Sequence, residues 1–492
     1  MCQTSPGPWR WVPWTTRQRR SAWAAITARE ARAVGIQWAL APIVDVNSNP
    51  ANPIINTRSF GEDPARVGAL AAAFIIGARA NGLLVTAKHF PGYGDAVIDS
   101  HHALAAVNAT LDHFRTVEFP PFRQAIGAGV DAVLLVHARA PALEPDPDRI
   151  TTNSPRIASN VLRHQLAFQG IILTDALEMR GVTSLYDPRK GDPVAQAAVD
   201  AVKAGCDMIM APVDVEGPFQ AIIEAVRSGQ IAESRIDESV RKILRMKASV
   251  GLDRARLVNL DQVAAVTGEP QDMDFAQRVA DDAVTLVRDN GRMLPLHKSA
   301  TVAETEAARG GEPGAKPDLA AVVVGQSLES SHGREFEKAL RSRCPNVQVF
   351  YFDNRSPQST IGDILKAVSA AHNVVVAAYV AHTETRQVMK DGKPSTSFGL
   401  LGPSGELLQQ MLAAAKEKTA VVAFGSPYLI ASFPELQTYI CTYAMASTSE
   451  ISAVKALFGE TQNHAKLPVT LPGIAQRGFS LPWPTKSGHQ SE

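Results

Sequence analysis

Apolar strands alternate with helices along residues 21–250, and this alternation constrains the fold more than any other feature of the chain. Because the strands are almost continuously apolar, the sheet should be parallel and covered by helices. We predict strands at 37–46, 83–89, 132–136, 170–175 and 208–212. We predict helices at 21–34, 64–80, 113–128, 155–168, 193–204, 216–228 and 235–248.

Ionisable side chains end four of these strands: Asp45, Lys88 with His89, His137 and Asp175. In parallel α/β folds, ligands bind at the carboxyl ends of the strands. The pattern favours a (β/α)8-type TIM barrel, although a doubly wound sheet would also place ligands there. Only five strands are clear where a closed barrel has eight, so we expect a barrel truncated at its N-terminus.

The predicted domain boundaries follow shifts in composition along the chain. Residues 1–20 hold three tryptophans and a basic cluster and are expected to be irregular. The incomplete barrel should occupy 21–250, and a linker with few periodic signals should follow at 251–272. A second α/β domain is then predicted over 273–492.

A second alternation of strands and helices predicts that this domain is a three-layer α/β/α sandwich. It should begin with a helix and turn at 273–298 and continue through a mobile loop at 299–317, which is rich in Ala, Glu, Gly and Pro. Strands are predicted at 320–324, 347–352, 374–380, 420–424 and 438–442. Helices are predicted at 333–342, 358–371, 403–416 and 449–458.

Composition narrows the classes of partner. Lysine plus arginine and aspartate plus glutamate both total 49, so net charge gives no support to a nucleic-acid partner or an anionic membrane. No apolar run is long enough to span a bilayer. No apolar stretch follows the basic cluster, so we see no signal peptide and expect a cytoplasmic protein unless the N-terminus is incomplete. The scattered cysteines and histidines, and the absence of GxGxxG and P-loop motifs, predict no metal and no cofactor.

The loop after the 83–89 strand carries an acid and a base two residues apart, Asp99 and His101. Residues i and i+2 of an extended loop point the same way, so the carboxylate can fix the tautomer of the imidazole and raise its pKa. The other ring nitrogen is then free for proton transfer. His102 could take this role instead, but its side chain should point to the opposite side.

Asp175 is the candidate nucleophile. An aspartate between a strand and Ala176-Leu177-Glu178 can be a simple helix cap, or a carboxylate held at a barrel mouth. Arg58, Lys88 and His89 can donate hydrogen bonds to several hydroxyl groups of one ligand. Donors around an aspartate, with a proton shuttle nearby, fit sugar chemistry better than phosphoryl transfer.

Several motifs carry a family resemblance. KHFPGYGD with DSH, PIVDVNSNPANPIINTRSFGEDP and GIILTDALEM together resemble glycoside hydrolase family 3, most closely its β-N-acetylglucosaminidase (β-N-acetylhexosaminidase) branch. TLVRDNGRMLPL and KLPVTLPGIAQRG resemble the second domain of many members. Two features depart from the family pattern. Tyr93 stands where many relatives have His, from which we expect little effect, and an upstream DQEGGRV-type stretch with a substrate-binding aspartate is missing.

The resemblance implies a role for each matching residue. Asp175 matches the nucleophile of a retaining, two-step glycosidase, and His101 matches its acid/base, with Asp99 as partner. The sugar-binding candidates are Arg58, Lys88, His89, Asp45 and His137.

The implied substrate is a carbohydrate with terminal β-linked N-acetylglucosamine, from a glycan or a peptidoglycan fragment of cell wall recycling. A neutral imidazole base does not repel an anionic acceptor, so phosphorolysis by the same residues is an alternative to hydrolysis. The remaining alternative is an inactive sugar-binding or scaffold protein.

Overall fold

A computed structural model provides the structure, and its described residues form two compact α/β units. The first unit holds 17–55 and 59–270, and the second holds 56–58 and the residues from 271 onward. Residues 1–16 and the predicted loop at 299–317 lie outside the described part. The described ranges are 17–100, 104–210, 213–298, 318–381, 385–390, 393–461 and 465–484.

A five-stranded parallel sheet forms the centre of the first unit, and its strand order follows the chain. Neighbours in sequence are therefore neighbours in the sheet, so the sheet winds in one direction as half of a barrel does. A doubly wound sheet would reverse direction at its middle. The strands are β1 (Trp38–Ala39), β2 (Leu84–Phe90), β4 (Ala132–Leu135), β6 (Ile171–Ala176) and β7 (Met208–Met210), while β3 (Ala105–Ala106) and β5 (Ala138–Arg139) pair separately.

Both faces of this sheet are apolar, because successive side chains of a buried strand point to opposite sides. One face packs against the first helices of the unit and includes Val85, Val133 and Ile172. The other face includes Leu134 and Leu173 and packs against Ile243 and Met246 of the last long helix. The helices are Arg17–Ala33, Pro64–Ala80, Leu111–His113, Phe119–Gly127, Arg180–Thr183, Pro193–Ala204, Glu216–Arg227, Glu233–Ser249 and Leu260–Val266, with π-helical turns at Phe114–Glu118 and Arg156–Gln165.

Local sequence explains where the helices begin and end. Asp63 accepts a hydrogen bond from the Arg66 amide at 2.8 Å, and Pro64 occupies the first helical position. Asp192 caps Pro193–Ala204 in the same way. Gly205, with φ 119°, ends that helix in the left-handed conformation that glycine adopts without steric cost.

The predicted elements differ from the observed ones where proline interrupts the backbone ladder. The strand expected at 37–46 is reduced to β1 and one bridge between Ile43 and Lys88, because Pro42 has no amide hydrogen to donate. The helix expected at 113–128 is divided by a π-helical turn, since Pro120 and Pro121 remove two donors from the helix ladder.

A buried charge network around Asp207 ties β6 and β7 to the helix Glu233–Ser249. The Asp207 carboxylate accepts hydrogen bonds from the Ile172 amide at 3.0 Å and the Ser239 hydroxyl at 2.8 Å. Burial opposes ionisation of Asp207, but Arg163, the Ile172 amide and Lys242 outweigh it. The pKa of Asp207 therefore lies below its ordinary value.

Replacing Asp207 by alanine should lower the free energy of unfolding by about 3–5 kcal/mol, because it leaves the largely buried Arg163 and Arg235 without their carboxylate partner. A lowered folded-state pKa stabilises the fold above the unfolded-state pKa, and this stability is lost as pH falls through the folded-state pKa. The difference between wild type and variant, measured by urea unfolding, should therefore shrink in acid. Asp237→Ala, which removes an exposed pair with Arg241, is the control and should leave the urea midpoint unchanged. Equal midpoints for the two variants would contradict the prediction.

The second unit contains a six-stranded sheet, in which one edge strand is antiparallel to its neighbour and the other strands are parallel. Helices with Ile364 and Leu407 cover one face, and helices with Phe336 and Val454 cover the other. The strands are β8 (Thr285–Asp289), β9 (Leu319–Gly325), β10 (Gln348–Phe352), β11 (Asn373–Val380), β14 (Thr419–Gly425) and β15 (Thr438–Cys441). They lie in the order β10-β9-β11-β14-β15-β8, and β8 is the antiparallel edge strand. The helices are Pro270–Ala283, Arg334–Arg341, Ser359–Ala370, Pro403–Ala415, Leu429–Ser432 and Ser447–Leu457.

Three features near and within this unit differ from prediction. In place of the helix and turn expected at 273–298, the helix ends at Ala283 and Thr285–Asp289 forms an edge strand paired with β15. The hairpin of β12 (Thr385–Lys390) and β13 (Lys393–Phe398) was not predicted. The region expected as a linker holds the helix Leu260–Val266, capped by the side chain of Asn259. Among the described helices, none combines the length and the apolar character that crossing a bilayer requires.

Candidate active site

Asp45 and His89 form a buried pair where β2 ends. Oδ2 of Asp45 accepts a hydrogen bond from the His89 amide at 3.0 Å and lies 2.7 Å from Nδ1 of the His89 ring. Because a carboxylate only accepts, Nδ1 carries the proton in this contact. Oδ1 of Asp45 accepts from the Tyr93 amide at 2.8 Å. The Asp45 carboxylate therefore orients His89 and the glycine-rich turn, and its predicted contact with a ligand stays a prediction.

Lys88 precedes His89 in β2, where the pairing of β2 with β4 shifts register between Ala87 and Phe90. The Lys88 carbonyl accepts a hydrogen bond from the Val44 amide at 2.8 Å, so the irregular segment before Asp45 runs alongside the strand end. The Lys88 side chain is half-buried, whereas His89 is buried. Lys88, His89 and Asp45 thus share one place at the carboxyl end of β2, as the sequence predicted for strand ends.

His137 follows β4 and is fully buried. Its Nε2 lies 3.0 Å from the carbonyl of Ala176 and its Nδ1 lies 2.7 Å from the Thr152 hydroxyl. Burial lowers the pKa of His137, and nearby Asp175 only partly offsets this. A neutral ring with its proton on Nε2 donates to the Ala176 carbonyl, so His137 fixes the backbone beside Asp175. Its predicted contact with substrate is not tested by these bonds.

Asp175 is half-buried near the end of β6. Its Oδ1 accepts a hydrogen bond from the Ala176 amide at 2.9 Å. Within the described ranges, Oδ2 of Asp175 has no hydrogen-bond partner. One carboxylate oxygen is therefore held by the backbone while the other is available, an arrangement suited to a nucleophile in which attack needs a fixed orientation.

The loop that carries Asp99 is fastened on both sides of this residue. The Tyr93 hydroxyl donates to the Ile98 carbonyl at 2.7 Å and accepts from the Ser100 amide at 3.0 Å. The Ser100 carbonyl accepts from the Gly181 amide at 3.1 Å, in the short helix Arg180–Thr183 that follows β6. The backbone beside Asp99 is thus tied both to the turn after β2 and to the segment after Asp175.

The two remaining predicted residues are His101 and Arg58. His101 lies outside the described residues. Arg58 ends the short 3-10 turn Asn56–Arg58, which groups with the second unit. The described residues also contain no group of three His, Cys, Asp or Glu side chains that could hold a metal ion.

Sequence reasoning missed Glu118, a fully buried residue of the π-helical turn. Its Oε1 lies 3.2 Å from Nε2 of His113. Within the described ranges, its buried Oε2 has no hydrogen-bond partner, and it lies where a side chain at Gly92 would have to go. Burial raises the pKa of Glu118 to about 7. A single glutamate in an amphipathic helix gives no sequence signal for this position.

Glu118→Gln should therefore change stability in a pH-dependent way. Because the pKa of Glu118 is raised in the folded state, its protonated form contributes fully to stability below the ordinary glutamate pKa. This contribution is lost as pH rises through about 7. Glutamine does not ionise, so the variant should gain on the order of 2–3 kcal/mol over wild type at pH 8 relative to pH 5. Urea unfolding at both pH values measures this gain, and an equal difference at the two would contradict it.

Comparisons with known proteins agree on one family. Residues 16–246 match the glycosyl hydrolase family 3 N-terminal domain, and residues 284–487 match the C-terminal domain of the same family. These matches confirm the resemblance drawn from the sequence motifs.

Three relatives show how far the similarity extends. A β-N-acetylglucosaminidase/β-glucosidase of Cellulomonas fimi is 30% identical over 474 residues, which cover 92% of this chain and 78% of the relative. A β-hexosaminidase A of Pseudoalteromonas piscicida is 25% identical over 478 residues, covering 91% and 76%. The solved structure of a family 3 β-N-acetylglucosaminidase from a Paenibacillus species superposes with a TM-score of 0.77 at 26% identity, covering 93% of this chain and 80% of that one.

Proposed function

The chain belongs to glycosyl hydrolase family 3, and we propose that it is a retaining glycosidase that releases terminal β-linked N-acetylglucosamine. The observation that carries the proposal is the Asp175 carboxylate, with one oxygen held by the Ala176 amide at 2.9 Å beside buried His137. The names of the Cellulomonas fimi relative and of the Paenibacillus structure support the choice of N-acetylglucosamine. In this proposal the five strands are an arc of a (β/α)8-type barrel, because their order follows the chain.

The first chemical step is attack by Oδ2 of Asp175 on the anomeric carbon. The bond between that carbon and the leaving oxygen breaks, and His101 gives its proton to the departing oxygen. The product is a covalent glycosyl-enzyme on Asp175 with inverted configuration. The role of His101 rests on the DSH motif, in which Asp99 accepts from the other ring nitrogen and favours the charged imidazole.

The second step restores the original configuration. His101, now neutral, takes a proton from water as the water oxygen attacks the anomeric carbon from the side that the leaving group vacated. Asp175 is released as a carboxylate. Lys88 and His89 at the carboxyl end of β2, which is separated from β6 by β4, are proposed to bind the sugar hydroxyls, and Asp45 supports His89. Arg58 is proposed as a further sugar-binding residue from its place in the family motif.

Purified protein with p-nitrophenyl N-acetyl-β-glucosaminide tests this proposal. Release of nitrophenol in phosphate-free buffer, lost in Asp175→Asn, is the expected result. Release that requires phosphate would instead identify a phosphorylase that uses the same residues. No release, with saccharide binding retained in calorimetry, would overturn the proposal in favour of a sugar-binding protein.

A further inference from the structure

Tyr93 stands at a position where the sequence led us to expect little effect, yet its contacts link several parts of the site. The residue is buried, with 1% of its surface exposed. Its amide donates to Asp45, and its hydroxyl bridges the Ile98 carbonyl at 2.7 Å and the Ser100 amide at 3.0 Å. One side chain therefore spans the turn after β2 and the loop that carries Asp99.

The Tyr93 hydroxyl binds the backbone of the residue before Asp99 and of the residue after it. Ile98 and Ser100 are its chain neighbours, so fixing their backbone groups fixes the direction in which the Asp99 side chain leaves the loop. The Ser100 carbonyl in turn accepts a hydrogen bond from the Gly181 amide at 3.1 Å, in the helix Arg180–Thr183 that follows the strand carrying Asp175. Tyr93 thus ties the loop to the turn after β2, and the Ser100 carbonyl ties it to the helix Arg180–Thr183.

The phenol remains a hydrogen-bond donor over any ordinary working pH. Burial raises the pKa of Tyr93 to about 12, with smaller contributions from Asp99 and Asp45. A phenylalanine would fill the same apolar volume and would leave the Ser100 amide and the Ile98 carbonyl without this partner. The hydroxyl can therefore be tested separately from the ring.

We propose that Tyr93 is a positioning residue of the acid/base loop, in which its hydroxyl fixes the backbone on both sides of Asp99 through the bridge from Ile98 to Ser100. The inference rests on the proposed function, in which the Asp99 and His101 pair transfers the proton. A proton donor displaced by about 1 Å can lose up to about 100-fold in rate. This loss of rate should be large for substrates whose leaving group needs the proton and small for activated aryl glycosides.

Tyr93→Phe tests the proposal, with Tyr439→Phe as the matched control. Tyr439 is also buried and also donates its hydroxyl to a backbone carbonyl, that of Pro427 at 2.9 Å, within the second unit. We expect Tyr93→Phe to lower kcat for di-N-acetylchitobiose about 10-fold, the factor set by one ordinary hydrogen bond, with KM unchanged. Nitrophenyl glycoside turnover should stay near wild type, and Tyr439→Phe should change neither. Equal losses on both substrates would overturn the inference.

Amide hydrogen exchange provides a second readout that does not need activity. The Ser100 amide loses its acceptor in Tyr93→Phe, so exchange in the 94–100 segment should accelerate relative to wild type and Tyr439→Phe. Unchanged exchange would refute the positioning role whatever the kinetics show. If wild type hydrolyses neither substrate, the proposed function fails, while accelerated exchange still supports the fastening of the loop by Tyr93.

Discussion

Asp175→Asn should lower kcat/KM for every β-N-acetylglucosaminide by on the order of 10⁴-fold or more, the size of loss seen when a nucleophile of a cooperating catalytic unit is removed. The amide is isosteric with the carboxylate and can still accept from the Ala176 amide, so the fold should be retained. What disappears is the anionic oxygen that forms the bond to the anomeric carbon. Initial rates with aryl and natural glycosides measure the effect, and a matching unfolding midpoint excludes misfolding.

Asp175→Gly extends this prediction, because it leaves space for a small external nucleophile. Azide should restore turnover of the aryl glycoside and yield a glycosyl azide whose anomeric configuration is opposite to that of the substrate. Asp187→Gly, at an exposed ion pair with Arg189, is the control and should keep wild-type rates without azide. Full activity of Asp175→Asn would place the nucleophile elsewhere.

His101→Ala carries the second largest expected effect. Natural glycosides have poor leaving groups, so loss of the general acid should slow their hydrolysis by about 10²–10⁴-fold. Activated aryl glycosides need little protonation and should lose far less in the first step. Parallel kinetics on nitrophenyl N-acetylglucosaminide and di-N-acetylchitobiose measure the two losses.

His102→Ala provides the matched control for the dyad, because in the extended loop that the sequence predicts the His102 side chain should point to the opposite side. We expect His102→Ala to keep the wild-type ratio of the two rates. A larger change in that ratio for His102→Ala than for His101→Ala would exchange their roles. Equal losses on both substrates in His101→Ala would remove it as the acid.

The sequence predicted the order of strands and helices in the first unit because that order depends on local information. Apolar runs such as Leu84–Phe90 and Ile171–Ala176 are strands in the structure. Asp63 caps the helix Pro64–Ala80, and Asp192 caps the helix Pro193–Ala204. The placement of Lys88, His89 and Asp175 near the carboxyl ends of β2 and β6 also followed from the sequence, whereas Asp45 lies beyond the short strand β1.

The remaining features depend on contacts between distant parts of the chain. No local pattern shows that the Asp45 carboxylate accepts hydrogen bonds from His89 and Tyr93, which lie 44 and 48 residues later in the chain. The Thr285–Asp289 segment continues a helical pattern in sequence and becomes a strand only because β15 offers a free edge. Burial of Glu118 likewise results from tertiary packing, so its raised pKa had no sequence signal.

Trapping of the glycosyl-enzyme tests the central claim most directly. The enzyme would be incubated with a fluorinated N-acetylglucosaminyl fluoride that forms the intermediate faster than it is hydrolysed, and then digested and mapped by mass spectrometry. The account predicts one sugar adduct, on the peptide that contains Asp175, and none in Asp175→Asn. An adduct on another carboxylate, or continued turnover of natural substrate with no adduct, would contradict it.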